Sequence, residues 1–330
     1  MNKGLETVGV DSSTKMNCPL ATIHVLTYNR FDHIYINIDS ILHQTYGNIE
    51  IVVADDGSAN FPKVEIEEYV NQHKGPNISR VVILANERNV GTVRNLNNAI
   101  LHSKGDVYIP LSQDDDFYSD DVVEKIMRRY VEHSFNVLVT SRCGVNLKGD
   151  FIRYWPHLKA RPIIEKMSVA EMFKAYAESR YSGMASGSVM IVSADFIKSF
   201  GLFDERYRLW EDGPFFYNCL RQGYPIDTAY DIISIRYEQT EGISNNPNQM
   251  MKDDIQLYLD TDFKLGYDGF GRMHRRYMDY FYEKRNNDHW LYRLFLYVKY
   301  ADVCMMKLFH SEKLRRWEVY DMKWYQKHHK

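Results

Sequence analysis

An α/β fold with a mainly parallel central sheet flanked by helices is predicted by three features of this sequence. Apolar, β-branched runs of strand length recur at 22–26, 49–54, 81–84 and 107–111. Segments with helical spacing lie between them, and strands that alternate with helices form a parallel sheet covered on both faces. Residues 251–330 keep a helical period throughout, which adds a helical C-terminal extension.

After the first run, Ile34, Ile38, Ile41 and Leu42 fall on one helical face and stop before Tyr46-Gly47. The run at 49–54 is the second strand and that at 81–84 the third. Val93, Leu96, Asn97 and Ile100 mark the next helix, closed by Lys104-Gly105, and 107–111 is the fourth strand. Up to that point the chain reads as a β-α-β-α-β-α-β unit. Beyond it the pattern is mixed: a helix over 120–133, a strand over 137–141, a loop-rich stretch through Pro156 and Pro162, and a strand over 188–192. In the extension, Leu294, Phe295, Val298, Ala301, Met305 and Phe309 form an apolar stripe with basic residues beside it. The boundaries expected are a polar leader at 1–19, a main domain at 20–250 with halves 20–117 and 118–250, and a helical, basic region at 251–330.

At 330 residues and 45% hydrophobic content the chain can bury a large core. Its formal charge of −3 gives no reason to expect a nucleic-acid partner, but the charge is unevenly spread. Residues 281–330 hold eleven Lys and Arg against six Asp and Glu, a net +5, which leaves −8 on residues 1–280. Cys18, Cys143, Cys219 and Cys304 are far apart and form no CxxC pair, which fits reduced thiols and argues against zinc. The leader has no apolar core of a secretory signal, so a cytoplasmic location is expected. The apolar stretch 291–309 is interrupted by Arg293, Lys299, Asp302 and Lys307 and should not span a bilayer.

The chemistry is concentrated at strand ends. Asp114, Asp115 and Asp116 follow the fourth strand directly, and like charges this close are tolerated where a divalent cation neutralises them. The plainer alternative is a solvated acidic turn leading into the next helix. Asp55-Asp56-Gly57-Ser58 follows the second strand, either as a turn or as a carboxylate placed to accept a buried N–H of a base. Glu211-Asp212 precedes Gly213-Pro214-Phe215-Phe216 and reads as the acidic start of a helix, a general base, or both. No GxGxxG follows the first strand, so a dinucleotide fingerprint is absent.

In this order, Thr27-Tyr28-Asn29-Arg30, Asp55-Asp56-Gly57-Ser58, Gly91 with Arg94-Asn95, Asp114-Asp115-Asp116, Gly201-Leu202-Phe203-Asp204-Glu205 and Trp210-Glu211-Asp212 resemble the inverting family 2 glycosyltransferases over residues 20–245. The resemblance implies the GT-A fold and a single sugar moved from a UDP-sugar to an acceptor hydroxyl with a β-linkage. It implies Mn²⁺ or Mg²⁺ on Asp115, with Asp114 on the ribose or the metal's water shell. Asp56 would read uracil beside Asp55, Tyr28 would stack on the base within the Thr27-to-Arg30 turn that includes Asn29, and Arg94 would hold the diphosphate. Asp212 would be the general base, Glu211 would orient the acceptor, and Gly183, Gly187 and Ser188 would let the acceptor sugar approach the backbone. Asp116 would cap the following helix.

Two positions depart from the family pattern: Gln113 stands where the first Asp of Asp-x-Asp is usual, and Gln239 where a His is frequent. They motivate a competing reading, a non-catalytic nucleotide-sugar-binding scaffold of the same fold. A nucleotidylyltransferase would need a Gly- and Arg-rich loop after the first strand, which Thr27-Tyr28-Asn29-Arg30 is not. The absence of Gln-x-x-Arg-Trp and of spanning helices argues for one sugar per cycle, in bacterial surface polysaccharide or glycan assembly with a glycan or lipid-linked saccharide acceptor. The basic tail suits peripheral contact of 281–330 with the inner face of the plasma membrane, or packing on the catalytic domain or a second subunit as a homodimer.

Overall fold

A computed structural model describes residues 18–238 and 248–329 apart from Leu147, Ser182 and Asp288. Residues 1–17 of the expected leader and Gln239 lie outside the described residues. The first half is built from β1 (Ala21–Thr27), α1 (Ile34–Leu42), β2 (Ile49–Asp55), α2 (Lys63–His73), β3 (Ile78–Ala85), α3 (Thr92–His102) and β4 (Val107–Ser112). These strands pair in the order β3-β2-β1-β4, all parallel. Every residue of β2 is buried, because helices cover both faces of a parallel sheet, and this is why its sequence is apolar except for Glu50 and the terminal Asp55 rather than alternating. In register, Thr27 lies opposite Asp55 and Leu26 opposite Ser112. The residues that follow β1, β2 and β4 therefore emerge along one edge of the sheet, where open α/β sheets hold ligands.

The second half adds β5 (Asp116–Phe117), α4 (Val122–His133), β6 (Val137–Val145), β7 (Phe151–Trp155), α5 (Arg161–Ile164), α6 (Val169–Ala177), β8 (Met190–Ser193), α7 (Ala194–Phe200), α8 (Asp212–Arg221) and β9 (Asp227–Glu238). Among the described residues the sheet has nine strands in the order β3-β2-β1-β4-β8-β6-β9-β5, with β7 paired to β6. The first four strands and the β6–β9 pair are parallel, as expected of the sheet, while β8 runs antiparallel to β4 and β6, β7 antiparallel to β6, and β5 antiparallel to β9. The strand expected at 188–192 begins at Met190, because Gly187–Val189 forms a 3₁₀ turn. Sequence periodicity did not disclose β7 or β9. In β9 the apolar run is broken by Asp231, and its pairing with β6 slips in register around Ser141, so no period of two survives. Asp116 does not cap the next helix: it lies in β5, 3.4 Å from Arg236, and the residue before α4 is Asp121.

The extension consists of α9 (Gln249–Asp260), α10 (Asp262–Leu265), α11 (Arg272–Asn286), α12 (Trp290–Lys299) and α13 (Ala301–His328). Much of it packs on the main body, and Leu259, Phe263, Phe270, Met278 and Trp317 belong to the same hydrophobic core as the strands. Two buried carboxylates fasten it. Asp254 of α9 accepts the backbone N–H groups of Arg208, Leu209 and Trp210 at 2.6–3.0 Å, fixing the segment that leads into Glu211 and Asp212. Asp321 of α13 meets His157 Nδ1 at 2.6 Å and accepts the Leu158 N–H at 3.1 Å, while Tyr325 stacks on Phe151 at 4.0 Å. Charges this buried are held only with several donors, so these contacts tie the helices in place. Among the described residues no helix is long and apolar enough to cross a membrane, and all four cysteines are free.

Candidate active site

The edge formed by the ends of β1, β2 and β4 is laced together by side chains before any ligand is considered. Asp55 is buried and fully engaged: Thr27 Oγ1 donates to it at 2.9 Å, and the Ser58 N–H and Oγ donate at 2.7 and 2.6 Å. Its work is to close the turn that presents Asp56. Asp56 accepts the N–H groups of Val90 and Gly91 at 2.8 and 2.9 Å, with Asn86 Nδ2 at 3.3 Å, and so holds the loop that opens α3. Its Oδ2 has one partner and keeps acceptor capacity for a ligand donor. Gly91 is required there, since its φ is +95° and a Cβ would lie 2.5 Å from the Arg208 carbonyl oxygen.

Tyr28 is 44% exposed, and its N–H donates to Gln113 Oε1 at 3.2 Å. The neutral residue that departs from the family pattern thus ties the β1 turn to the β4 turn. Asn29 donates its N–H to Ser58 Oγ at 2.8 Å, and Arg30 faces Asp114 at 3.9 Å. Arg94, expected at a diphosphate, pairs with Glu205 at 3.3 Å and is more than half exposed.

Asp115 differs from its neighbours. It is buried, and no hydrogen bond reaches its carboxylate among the described residues. Burial first, and the Asp114 charge second, push its carboxyl well above the usual range, with Arg142 acting the other way. Its backbone is fixed from below, because Asn37 Nδ2 donates to the carbonyls of Ser112 and Asp115 at 2.8 Å each. A desolvated carboxylate without donors, beside a second carboxylate, fits a hard divalent cation that takes its remaining oxygens from a diphosphate and water. Among the described residues no group of three His, Cys, Asp or Glu forms a complete cage.

Asp212 begins α8. Its Oδ2 accepts the Gly187 N–H at 2.6 Å. A Cβ on Gly187 would come within 2.5 Å of Glu211 Oε1 and 3.3 Å of Asp212 Cβ, so any side chain here would push the Glu211 carboxylate aside and crowd Asp212. Burial raises both carboxyls. Glu211 is pushed to about 8, with the Asp212 charge as the second cause, and Asp212 is raised by burial against the restraint of the Gly187 N–H. Arg142 on β6 donates to Ser188 Oγ at 2.9 Å and lies 5.0 Å from the Trp155 ring, and its charge acts on Asp115 and Asp212 alike. The sequence reading missed Arg142, Trp155 and Asn37. A lone arginine inside the apolar run of β6 was the one signal available for the first; the other two look like ordinary strand and helix residues.

Two expected outcomes follow from this geometry. Gly187→Ala should lower turnover roughly tenfold by displacing Glu211 or lengthening the Asp212 bond, with the melting temperature little changed, as kinetics and a thermal melt would show. Equal turnover would mean that the turn does not position the pair. Because Glu211 and Asp212 are raised acids, the folded state holds their protons more tightly than the unfolded chain. Each therefore costs stability progressively as pH rises above the ordinary carboxylate range, for Glu211 up to about 8. Glu211→Gln should accordingly raise the melting temperature more at pH 8.5 than at pH 5, and a uniform shift would refute the assignment.

The sequence profile of Glycosyl transferase family 2 matches residues 22–193. An uncharacterized glycosyltransferase of Haemophilus influenzae is 31% identical over 138 residues, 39% of this chain and 41% of that protein. Another, of Rickettsia felis, is 27% identical over 241 residues, 72% of this chain and 38% of its own length. The chain thus spans about two fifths of the length of these two relatives. Among solved structures, S. aureus TarS overlays with a TM-score of 0.56 at 15% identity, covering 81% of this chain and 43% of TarS. TarS 1-349 in complex with UDP-GlcNAc overlays with a TM-score of 0.52 at 16% identity, covering 81% of each chain. At these identities the overlay speaks for the fold.

Proposed function

The chain belongs to glycosyl transferase family 2, and from that premise we propose that it moves a single sugar, a hexosyl or N-acetylhexosaminyl group, from a UDP-sugar to an acceptor hydroxyl with inversion. The observation that carries this reading is that Asp115, buried just after β4, has no hydrogen bond to its carboxylate among the described residues, while Asp212 at the start of α8 is held by the Gly187 N–H beside Ser188, to which Arg142 donates. On this reading Asp115 serves the leaving diphosphate and Asp212 the attacking hydroxyl.

In this mechanism Asp56 and Tyr28 hold the base, Asp114 the ribose and Arg94 the diphosphate, which Asp115 would reach through a divalent cation. Asp212 accepts the proton of the acceptor hydroxyl as its oxygen bonds to C1 of the sugar. The bond from C1 to the phosphate oxygen breaks with its electron pair leaving on UDP, and attack from the opposite face gives the β-linkage. Glu211, with a raised carboxyl, donates to the acceptor and orients it, while Gly187 keeps backbone close to the pair. Mn²⁺ or Mg²⁺ held by Asp115, with Asp114 beside it, would stabilise negative charge on the leaving group. The acceptor on this reading is a glycan or lipid-linked saccharide of bacterial surface polysaccharide assembly.

A UDP-release assay over a panel of UDP-sugars with saccharide acceptors, run with Mn²⁺ and with chelator, tests the proposal. Product anomeric configuration read by NMR should be β. UDP binding without turnover on every donor and acceptor pair would favour the scaffold reading instead.

A further inference from the structure

We propose that the outward faces of α12 and the first turns of α13 form a docking surface for an anionic lipid bilayer. The inner faces of these helices are already satisfied, since Leu296, Tyr300 and Val303 pack with Tyr277 and Tyr280 of α11 in a small core of their own. What remains outside is apolar: Trp290, Leu294, Phe295, Val298, Leu308 and Phe309 are each more than half exposed, Val298 by 79%. Among the described residues these side chains stay mostly exposed on two successive helices, and exposed apolar surface of this kind marks an interaction site.

Charge selects the occupant. Positions one to four turns beyond Leu308 on the same face of α13 are Glu312, Arg315, Arg316, Val319 and Lys323, all exposed, and Glu312 is paired with Arg316 at 2.7 Å. The apolar tip is thus followed by cations, and residues 281–330 carry a net +5. A second copy of the chain would bring like charge against like charge. Acidic headgroups over an apolar interior complement both parts, and no described helix is suited to cross the bilayer, so the helices lie on it. The far end of α13 is clamped to the main body through Asp321 and His157, so a docked hairpin would hold the whole enzyme in one orientation.

Co-sedimentation of the full chain with vesicles of phosphatidylglycerol in phosphatidylcholine, and with phosphatidylcholine alone, tests the proposal. Partition into the anionic vesicles is expected, weakened by high salt. It should fall by more than about tenfold in a Leu294→Glu, Phe295→Glu, Leu308→Glu variant whose circular dichroism and UDP binding match wild type. Absence of anionic partition, or equal partition of variant and wild type, would overturn the proposal. So would a concentration-dependent dimer in light scattering that the same substitutions dissolve, because the face would then belong to a second copy.

Discussion

Asp212→Asn is expected to lower turnover by on the order of 10²–10⁴ while leaving UDP affinity nearly intact. The substitution separates chemistry from architecture. Asparagine keeps an oxygen that can accept the Gly187 N–H now bonded at 2.6 Å, so the turn that carries Gly187 and Ser188 stays where it is. What is lost is the basic oxygen that, in the proposed mechanism, takes the acceptor proton. Glu211→Gln is the useful companion: it leaves the base in place and should affect acceptor KM more than kcat. Steady-state kinetics paired with calorimetric UDP titration would read both. An Asp212→Asn enzyme with wild-type turnover would remove Asp212 from the reaction and return it to being the acidic start of α8.

Asp115→Asn should abolish the part of UDP affinity that depends on a divalent cation. Stabilising charge at a leaving diphosphate is worth several kcal/mol, so the loss in Mn²⁺-dependent affinity should reach at least about a hundredfold. The backbone at this position is held through the Asp115 carbonyl by Asn37, and that contact survives the change. The carboxyl, buried beside Asp114 and raised well above its usual range, opposes folding as pH climbs past the ordinary carboxylate value, so its removal should not weaken the metal-free protein. In thermal melts, wild type with UDP and saturating Mn²⁺ should gain about 2.7 kcal/mol at a hundred times the dissociation constant, and the variant almost nothing. Equal metal-dependent gains in both proteins would show that the cation binds elsewhere or not at all.

Much of the first half was legible because the strands of a parallel sheet with helices on its faces are mostly apolar and rich in β-branched residues, and β1 to β4 supply such runs one after another. The motifs at their ends could be read too, since strand-end carboxylates in that order are scarce by chance. The second half resisted for a local reason. Its strands pair in both directions, β9 slips against β6, and β7 follows a loop within the same hairpin, so neither a clean period nor a connection length announces them.

The sequence also left Asp55 and Asp56 indistinguishable as adjacent carboxylates. In space Asp55 is spent on Thr27 and Ser58, whereas Asp56 ties down the loop before α3 and keeps an oxygen partly open. The tail divides in the same way: composition showed a basic, apolar-striped region, but only packing separates Trp317 and Asp321, which are buried in the body, from Phe295 and Leu308, which are not.

By itself, then, the sequence determined the parallel half of the sheet, the edge on which its carboxylates gather and the family to which they point, because periodicity and residue type act over a few neighbouring residues. Tertiary structure alone decided that Arg142 acts on both Asp115 and Asp212, that Gly187 and Asp212 meet across 25 positions of chain, and that Asp254 anchors the segment before the pair. Those contacts join residues far apart in the chain, and burial and charge are set by what packs around a group rather than by what precedes it.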